Sequence, residues 1–403
     1  MASALDRAYN IEDLREVARK RLPRGLFEFV DRGAEDEVSL RGNREAMHRI
    51  AFRSRVLADT STRSLETTLF GRSQSCPLIV APTGAVGLMW YDGEVEAARA
   101  AASLGIPYTL STASIAPLED VAARAGGDLW FQLYVWPDLS LSEEIILRAK
   151  AAGYRVLILT ADAAVPSNRE YNRRNAFTVP IRFNSRNMFD VLRHPGWIAS
   201  VMLKHLINGG VPEFANLPQA YRSNLRGKGS TRLMPPNAPI TPEVMRRCRA
   251  LWDGPLLVKG LLSPEDARLA ADCGMDGVIV SNHGGRTLDG AMAPIEALPA
   301  VVDAVGHRLA VLVDSGFRRG ADVAKALALG AQAVLLGRAP LWGTAVAGEA
   351  GARHALSLIR SELDRVMGQV GAATIADLNR SLLTLRGTSL AASLEAAQSR
   401  RPD

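Results

Sequence analysis

Short apolar runs recur along the chain, each closed by small or polar residues. LIVAP (78–82), PYTLS (107–111), DLWFQLY (128–134) and RVLILT (155–160) make a first series. PLLVK (255–259), GVIVS (277–281), LAVLVD (309–314) and AQAVLLG (331–337) make a second. These runs do not alternate as a half-exposed strand would, so they read as strands buried on both faces. Ala-rich stretches with helical spacing lie between most of them, at 93–105, 117–125, 139–152, 264–274, 293–305 and 320–329. Eight such units predict an α/β fold, a (β/α)8 barrel of TIM type, rather than an open sheet. Ahead of the barrel, Ile11, Leu14, Val17 and Ala18 share one face of a helix over 11–21 that Pro23 ends. Leu26, Phe27, Phe29 and Val30 belong to a second helix, and 33–37 (GAEDE) to a turn. Weak alternation over 51–71 predicts short strands that cap a barrel end.

One gap breaks the spacing. Residues 163–254 separate the fourth run from the fifth, too many for a structureless loop, and this insertion falls where barrels carry active-site loops. Within it, 182–232 holds Arg182, Arg186, Arg193, Lys204, Arg222, Arg226, Lys228 and Arg232 against only Asp190 and Glu213. That excess equals the +6 of the whole chain. Met188, Phe189, Leu192, Trp197, Ile198, Val201, Met202, Leu203, Leu206 and Ile207 are interleaved with these charges. A basic amphipathic stretch tipped with aromatics suits peripheral contact with an anionic membrane. A lid or a subunit contact suits it equally. The expected organisation is one barrel domain over 1–385 with a C-terminal tail over 386–403.

Composition adds mostly exclusions. A pI near 9.4 suits anionic substrates, nucleic acid or an acidic surface alike, but no nucleic-acid-binding module is recognisable. Cys76, Cys248 and Cys273 are far apart, with no CxxC and no histidine beside them, which argues for a reducing compartment and against zinc or a disulfide framework, and no metal site is expected. The N-terminus lacks a secretory pattern, and no uninterrupted apolar run of about 18 residues occurs. The expectation is a cytoplasmic protein, with the inner face of a membrane as a peripheral site.

The chemistry lies at the strand ends. The run over 277–281 delivers Asn282, His283, Gly284, Gly285 and Arg286, joining an imidazole, bare backbone and a guanidinium. Alone, this histidine reads as readily as a core residue beside a turn. The other endings decide the matter: Pro82, Thr83 and Gly84; Ser111; Gln132 and Tyr134; Thr160 and Asp162, with Arg169 following; Lys259; DSGFRRG over 314–320; and LGR over 336–338. A lysine closing an apolar strand packs poorly but suits an anion. Glycine-plus-arginine endings on the last two strands stand where barrels commonly bind phosphate, which points to a phosphorylated cofactor. No GxGxxG opens a helix after a strand, RGKGST (226–231) has the wrong spacing for a phosphate loop, and no GxSxG or HExxH occurs.

SNHGGR, FQLYV, LTAD, LLVKG, DSGFRRG and LLGR, in this order, resemble the FMN-dependent α-hydroxy acid oxidase and dehydrogenase family from about Ile11 to Leu385. RLPRGLFEFVDRGAEDE, GDLWFQLYV and KALALGAQAVLLGRA are similar to its (S)-mandelate and membrane-associated L-lactate dehydrogenase branch. The resemblance implies oxidation of a 2-hydroxy acid to the 2-keto acid, with FMN as cofactor, a quinone or O2 as electron acceptor and a homotetramer. It implies His283 as base, oriented by Asp162; Arg286 and Arg169 on the substrate carboxylate; and Tyr134 near the reacting carbon. Lys259 is implied beside the flavin ring, with Pro82, Thr83, Gly84, Ser111, Gln132, Thr160 and Ser281 along the flavin. Asp314 is implied on the ribityl chain, and Gly316, Arg318, Gly337 and Arg338 on the phosphate. Gly84 stands where the family's oxidases more often carry alanine, which implies a poor oxidase.

One position departs from the pattern. The family usually has a tyrosine on the N-terminal helix whose hydroxyl helps hold the substrate carboxylate, and Phe29 stands there in this chain. Losing a hydrogen bond to a charged acceptor costs roughly 1.5–3 kcal/mol if nothing replaces it. Either the two arginines compensate, or the substrate is a larger hydroxy acid, or an alcohol or amine without a free carboxylate.

Overall fold

A computed structural model of the protein describes residues 5–176, 185–218, 221 and 237–386. Eight parallel strands close into a barrel: β1 (Leu78–Thr83), β2 (Tyr108–Ser111), β3 (Leu129–Leu133), β4 (Val156–Thr160), β5 (Leu256–Leu261), β6 (Gly277–Val280), β7 (Ala310–Val313) and β8 (Ala333–Leu336). Each strand pairs with its neighbour in sequence, and β8 returns to β1 through Val334–Leu78 and Leu336–Val80. The apolar runs of the sequence are these strands. Period-two alternation sorts each run between two cores. Ile79, Trp130, Ile158, Leu257, Ile279, Leu312 and Leu335 fill the barrel interior. Leu78, Val80, Phe131, Leu157, Val258, Val278 and Val313 face the surrounding helices.

The N-terminal end of the barrel is plugged. Residues Thr67–Leu69 and Arg72–Gln74 form an antiparallel hairpin, from which Leu69 joins the interior core and Phe70 meets Trp130 edge-on at 5.9 Å. Buried Asp128 accepts two hydrogen bonds from Arg155 (2.9 and 2.7 Å) and one from Gln74 (2.9 Å). The expected cap is therefore built from 67–74. The other short strand behaves differently: Ile50–Phe52 pairs antiparallel with Leu383–Leu385 and ties the two ends of the chain together. Its partner lies over three hundred residues away, and local alternation carries no information about that.

Three helices precede the barrel: α1 (Ile11–Arg21), α2 (Arg24–Asp31) and α3 (Val38–Arg49). Asn10 caps α1 by accepting the Asp13 N–H (3.0 Å). The start of α3 is capped from afar, by Asp289 in the loop after β6, which accepts the N–H groups of Val38 (3.2 Å) and Ser39 (2.8 Å). Further along α3, buried Asn43 exchanges two amide hydrogen bonds with Asn282 (3.0 and 2.8 Å). These helices are thereby stitched to the C-terminal end of β6, where the chemistry is expected.

The insertion carries helices over Glu170–Arg174, Ser185–Leu192 and Leu203–Asn208, and Pro242–Leu251 leads back to β5. Trp197 and Val201 face inward: Trp197 is 7 % exposed and donates its indole N–H to the Leu88 carbonyl (2.8 Å). His205 reaches the Gly87 carbonyl (2.9 Å). These two apolar residues of the basic stretch are anchors to the barrel, since an indole N–H needs an acceptor that the β1–helix turn supplies. Phe189, Leu192 and Ile207 point outward, 63 %, 65 % and 71 % exposed. Arg182, Arg222, Arg226, Lys228 and Arg232 lie outside the described residues, as does most of the tail over 386–403. Among the described residues, no helix is long and apolar enough to cross a membrane.

Candidate active site

The C-terminal ends of the strands surround one cleft, lined by residues at or just after the end of each strand and from α2. Polar side chains run around it in two connected groups. Across β2, β3 and β4, Ser111 donates to the Gln132 side-chain carbonyl (3.0 Å), and Gln132 donates to the Thr160 hydroxyl (2.9 Å). Across β5, β6 and β7, the Lys259 ammonium donates to the Ser281 hydroxyl (2.9 Å) and pairs with Asp314 at 3.1 Å. Burial pulls the Lys259 ammonium down, but Asp314 and Asp162 outweigh it and hold its pKa above the usual value, so it stays charged.

The histidine is presented by an unusual backbone. His283, Gly284 and Gly285 are left-handed in succession, with φ of 57°, 67° and 72°. A residue with a Cβ rarely adopts this conformation, and at Gly285 a Cβ would meet the backbone of Leu40 at 2.6 Å. The turn is pinned by hydroxyls: Ser281 accepts the His283 N–H (3.0 Å) and Ser315 accepts the Gly284 N–H (2.9 Å). His283 Nδ1 lies 2.9 Å from Asp162 Oδ1, which leaves Nε2 for the cleft. Burial lowers the His283 pKa below its ordinary value, with Asp162 opposing and Lys259 assisting. Burial works against the charge of Asp162 as well, but His283 and Lys259 prevail and its pKa falls below the usual carboxylate range. Burial thus shifts the imidazole toward its neutral form, beside a carboxylate that is held in its charged form. The Tyr134 hydroxyl is pushed up by burial and by Asp162, and remains a proton donor.

The far side of the cleft is cationic. Arg286 donates Nη1 to the carbonyls of Phe29 (2.7 Å) and Arg32 (3.1 Å), and its guanidinium lies 5.3 Å from the centre of the Phe29 ring. Arg169 donates to the Arg286 carbonyl (3.2 Å). Arg338 donates to the carbonyls of Val30 (2.8 Å), Gly284 (2.9 Å) and Arg32 (3.0 Å). Arg318 donates to the Phe317 carbonyl (2.8 Å) and stacks on Trp342 at 4.6 Å. Carbonyls at the end of α2 are natural partners for cations, because the helix leaves them unpaired. They do not neutralise the charge. Arg286 is pulled down to about 9 by burial and then by Arg169 and Arg338. Arg318 and Arg338 are pulled to about 10 by burial first, then by Arg44 and Arg318 respectively. A surplus of buried positive charge calls for anions. The donor set fits the phosphate of a mononucleotide with a second anion beside Arg286. A Cβ on Gly337 would meet nothing nearer than 3.9 Å, so bare backbone faces open cleft there.

Of the residues expected from the sequence, all line the cleft except two. Asp162 and Ser281 stand behind the wall, where Ser281 serves Lys259 and His283 instead of opening onto the cavity. Ser315 was not expected. It has φ 81°, lines the cleft and donates to Asp314 (2.8 Å), linking the lysine pair to the histidine turn. Its only sequence signal is its place inside DSGFRRG.

The family model described as FMN-dependent dehydrogenase matches residues 18–385. The (S)-mandelate dehydrogenase of Pseudomonas putida is 42 % identical over 94 % of this chain and 94 % of its own length. An L-lactate dehydrogenase of Chromohalobacter salexigens is 43 % identical over 95 % of this chain and 96 % of its own. A crystal structure described as the monotopic membrane protein (S)-mandelate dehydrogenase superposes with a TM-score of 0.88 at 41 % identity, covering 94 % of this chain and 100 % of that one. Barrel, cationic cleft and sequence agree: this chain belongs to the FMN-dependent dehydrogenase family.

Proposed function

We propose that the protein oxidises a 2-hydroxy acid to the 2-keto acid and passes the electrons to a quinone or similar acceptor rather than efficiently to O2. The observation that carries this reading is the His283–Asp162 pair, joined at 2.9 Å, in a cleft that also presents Arg286, Arg169 and Tyr134. The arginines bind and orient the carboxylate, and Tyr134 donates to oxygen near the reacting carbon. His283 Nε2 takes the substrate proton, and Asp162 stabilises the imidazolium that forms. FMN, when bound, supplies the two-electron acceptor. Arg318, Arg338, Gly316 and Gly337 would hold its phosphate, Asp314 its ribityl chain, and Lys259 is the fixed cation available to its ring. Anaerobic mixing of the yellow protein with lactate, glycolate, mandelate and long-chain 2-hydroxy acids tests this. Rapid bleaching of the flavin band by at least one of them is expected, and bleaching by none would overturn the reading.

Phe29 favours a second reading, a larger substrate or one without a free carboxylate. Its ring lines the cleft beside Arg286 and offers no hydroxyl there. We also infer peripheral membrane contact. The outer faces of Ser185–Leu192 and Leu203–Asn208 expose Phe189, Leu192 and Ile207, while Trp197 and His205 fasten their inner side. Co-sedimentation with anionic vesicles, reduced by Phe189→Glu with Ile207→Glu, is the expected outcome. Equal binding by that double variant counts against this surface.

A further inference from the structure

β5 carries one residue too many. Lys259 pairs with Ile279 and Leu261 with Val280, so Gly260 is bulged out of the ladder with β6, at φ 101°. On its other side, the Lys259 carbonyl accepts the Ala161 N–H (2.8 Å), the last backbone tie before Asp162. The Asp162 side chain then folds back over the bulge. A Cβ on Gly260 would lie 2.6 Å from Asp162 Cγ, 2.7 Å from its Cβ and 2.9 Å from its Oδ2. The carboxylate that meets His283 is therefore seated on a bare Cα.

Among the described residues, no hydrogen bond holds the outer oxygen of that carboxylate. Oδ1 is committed to His283, and Oδ2 is buried with no hydrogen-bond partner among the described residues. With its outer oxygen unbonded, the carboxylate lies against the bulge at Gly260, which leaves no room for it to turn that way.

We propose that Gly260 is a positioning residue for the proton transfer: the bulged glycine forms the seat that holds Asp162 against His283. This rests on the reading of His283 as base. Any side chain at 260 would displace the carboxylate, whereas Lys259 on the same strand keeps its own bonds to Ser281 and Asp314.

A double-mutant cycle tests it, because Asp162→Gly removes the three atoms nearest to a Cβ at 260. Substrate-driven flavin reduction, per bound FMN, is measured for wild type, Gly260→Ala, Asp162→Gly and the double variant. Gly260→Ala alone is expected to slow reduction on the order of 100-fold, the effect of a misplaced catalytic group. Added to Asp162→Gly, it should change the rate by less than about threefold, since coupled residues lose their effect only once. The strain of a left-handed alanine is common to both backgrounds and cancels. A second readout is the His283 titration followed by NMR in the FMN-loaded protein. Asp162 raises that pKa, so Gly260→Ala should move it to lower pH, and Asp162→Gly should do the same. A further loss on the order of 100-fold in the double variant, or an unmoved titration in Gly260→Ala, overturns the seat. If Gly260→Ala fails to fold while the double variant folds and binds FMN, the seat is supported; failure of both overturns it. Wild-type rates in Asp162→Gly would instead overturn the reading of Asp162 as the partner of the base, while His283→Gln tests the base itself.

Discussion

The two ends of this barrel both bury charge, and they do it in opposite ways. At the N-terminal end, Asp128 is met by a two-bond fork from Arg155 and by Gln74, and apolar Leu69 and Phe70 close the opening. At the C-terminal end, arginines share the same few carbonyls of α2, and one oxygen of Asp162 has no partner among the described residues. A satisfied charge network seals a barrel, whereas an unbalanced one marks the end that is completed by ligands. The contrast locates function without reference to any motif.

The sharpest way to break the contrast is to remove the base. His283→Gln should keep FMN bound and slow flavin reduction by about 10²–10⁴-fold, the usual worth of a positioned base. Stopped-flow traces at the wild-type rate would remove His283 from the mechanism. Asp128→Ala probes the sealed end. It strands Arg155 beside a buried site and should cost about 3–5 kcal/mol of stability, with turnover per bound flavin unchanged in the protein that folds. Equal losses of stability and turnover in urea titrations and assays would mean that the two ends are not separable.

A smaller effect is expected at Phe29. If the substrate is an ordinary small 2-hydroxy acid, Phe29→Tyr should raise kcat/KM by about tenfold, or ~1.4 kcal/mol. If the natural substrate lacks a free carboxylate, the added hydroxyl is desolvated without an acceptor and activity on it should fall. Assays on lactate, mandelate and an esterified analogue separate the two by sign. The smallest change is in pH dependence. Because burial places the His283 pKa below its ordinary value, the acid limb of kcat/KM should lie below about 6.5, where the free imidazole titrates. Asp162 raises that pKa, so Asp162→Asn should carry the limb further toward acid while lowering the plateau. A limb that moves toward alkaline pH would contradict the pairing.

Much of this was legible in the residues themselves. Burial on both faces writes each barrel strand as a continuous apolar run, and a polar residue closing such a run has few structural uses. That made Lys259, Gln132 and His283 readable. What stayed hidden depends on contacts across long stretches of chain. The Asn43–Asn282 amide pair spans 239 residues, and nothing in the sequence around Asn43 marks it as the partner of Asn282. The bulge at Gly260 needs the register with β6 before its extra residue shows. Trp197 looks the same in sequence whether it faces lipid or the barrel, and only its bond to Leu88 decides.

The contacts between α2 and the two arginines also set an order of events in synthesis. Arg286 and Arg338 bond carbonyls 257 and 308 residues earlier in the chain. At ordinary elongation rates, α2 leaves the ribosome about 15–60 s before Arg338 is made. Until Arg286 and then Arg338 are made, its last carbonyls lack these partners. The arginines, once made, need them at once, so the helix that seems an accessory to the barrel is kept waiting as half of a joint. A chain shortened at its N-terminus would not release a smaller working barrel. It would take the α2 carbonyls from both guanidinium groups and leave Arg338 its bond to Gly284.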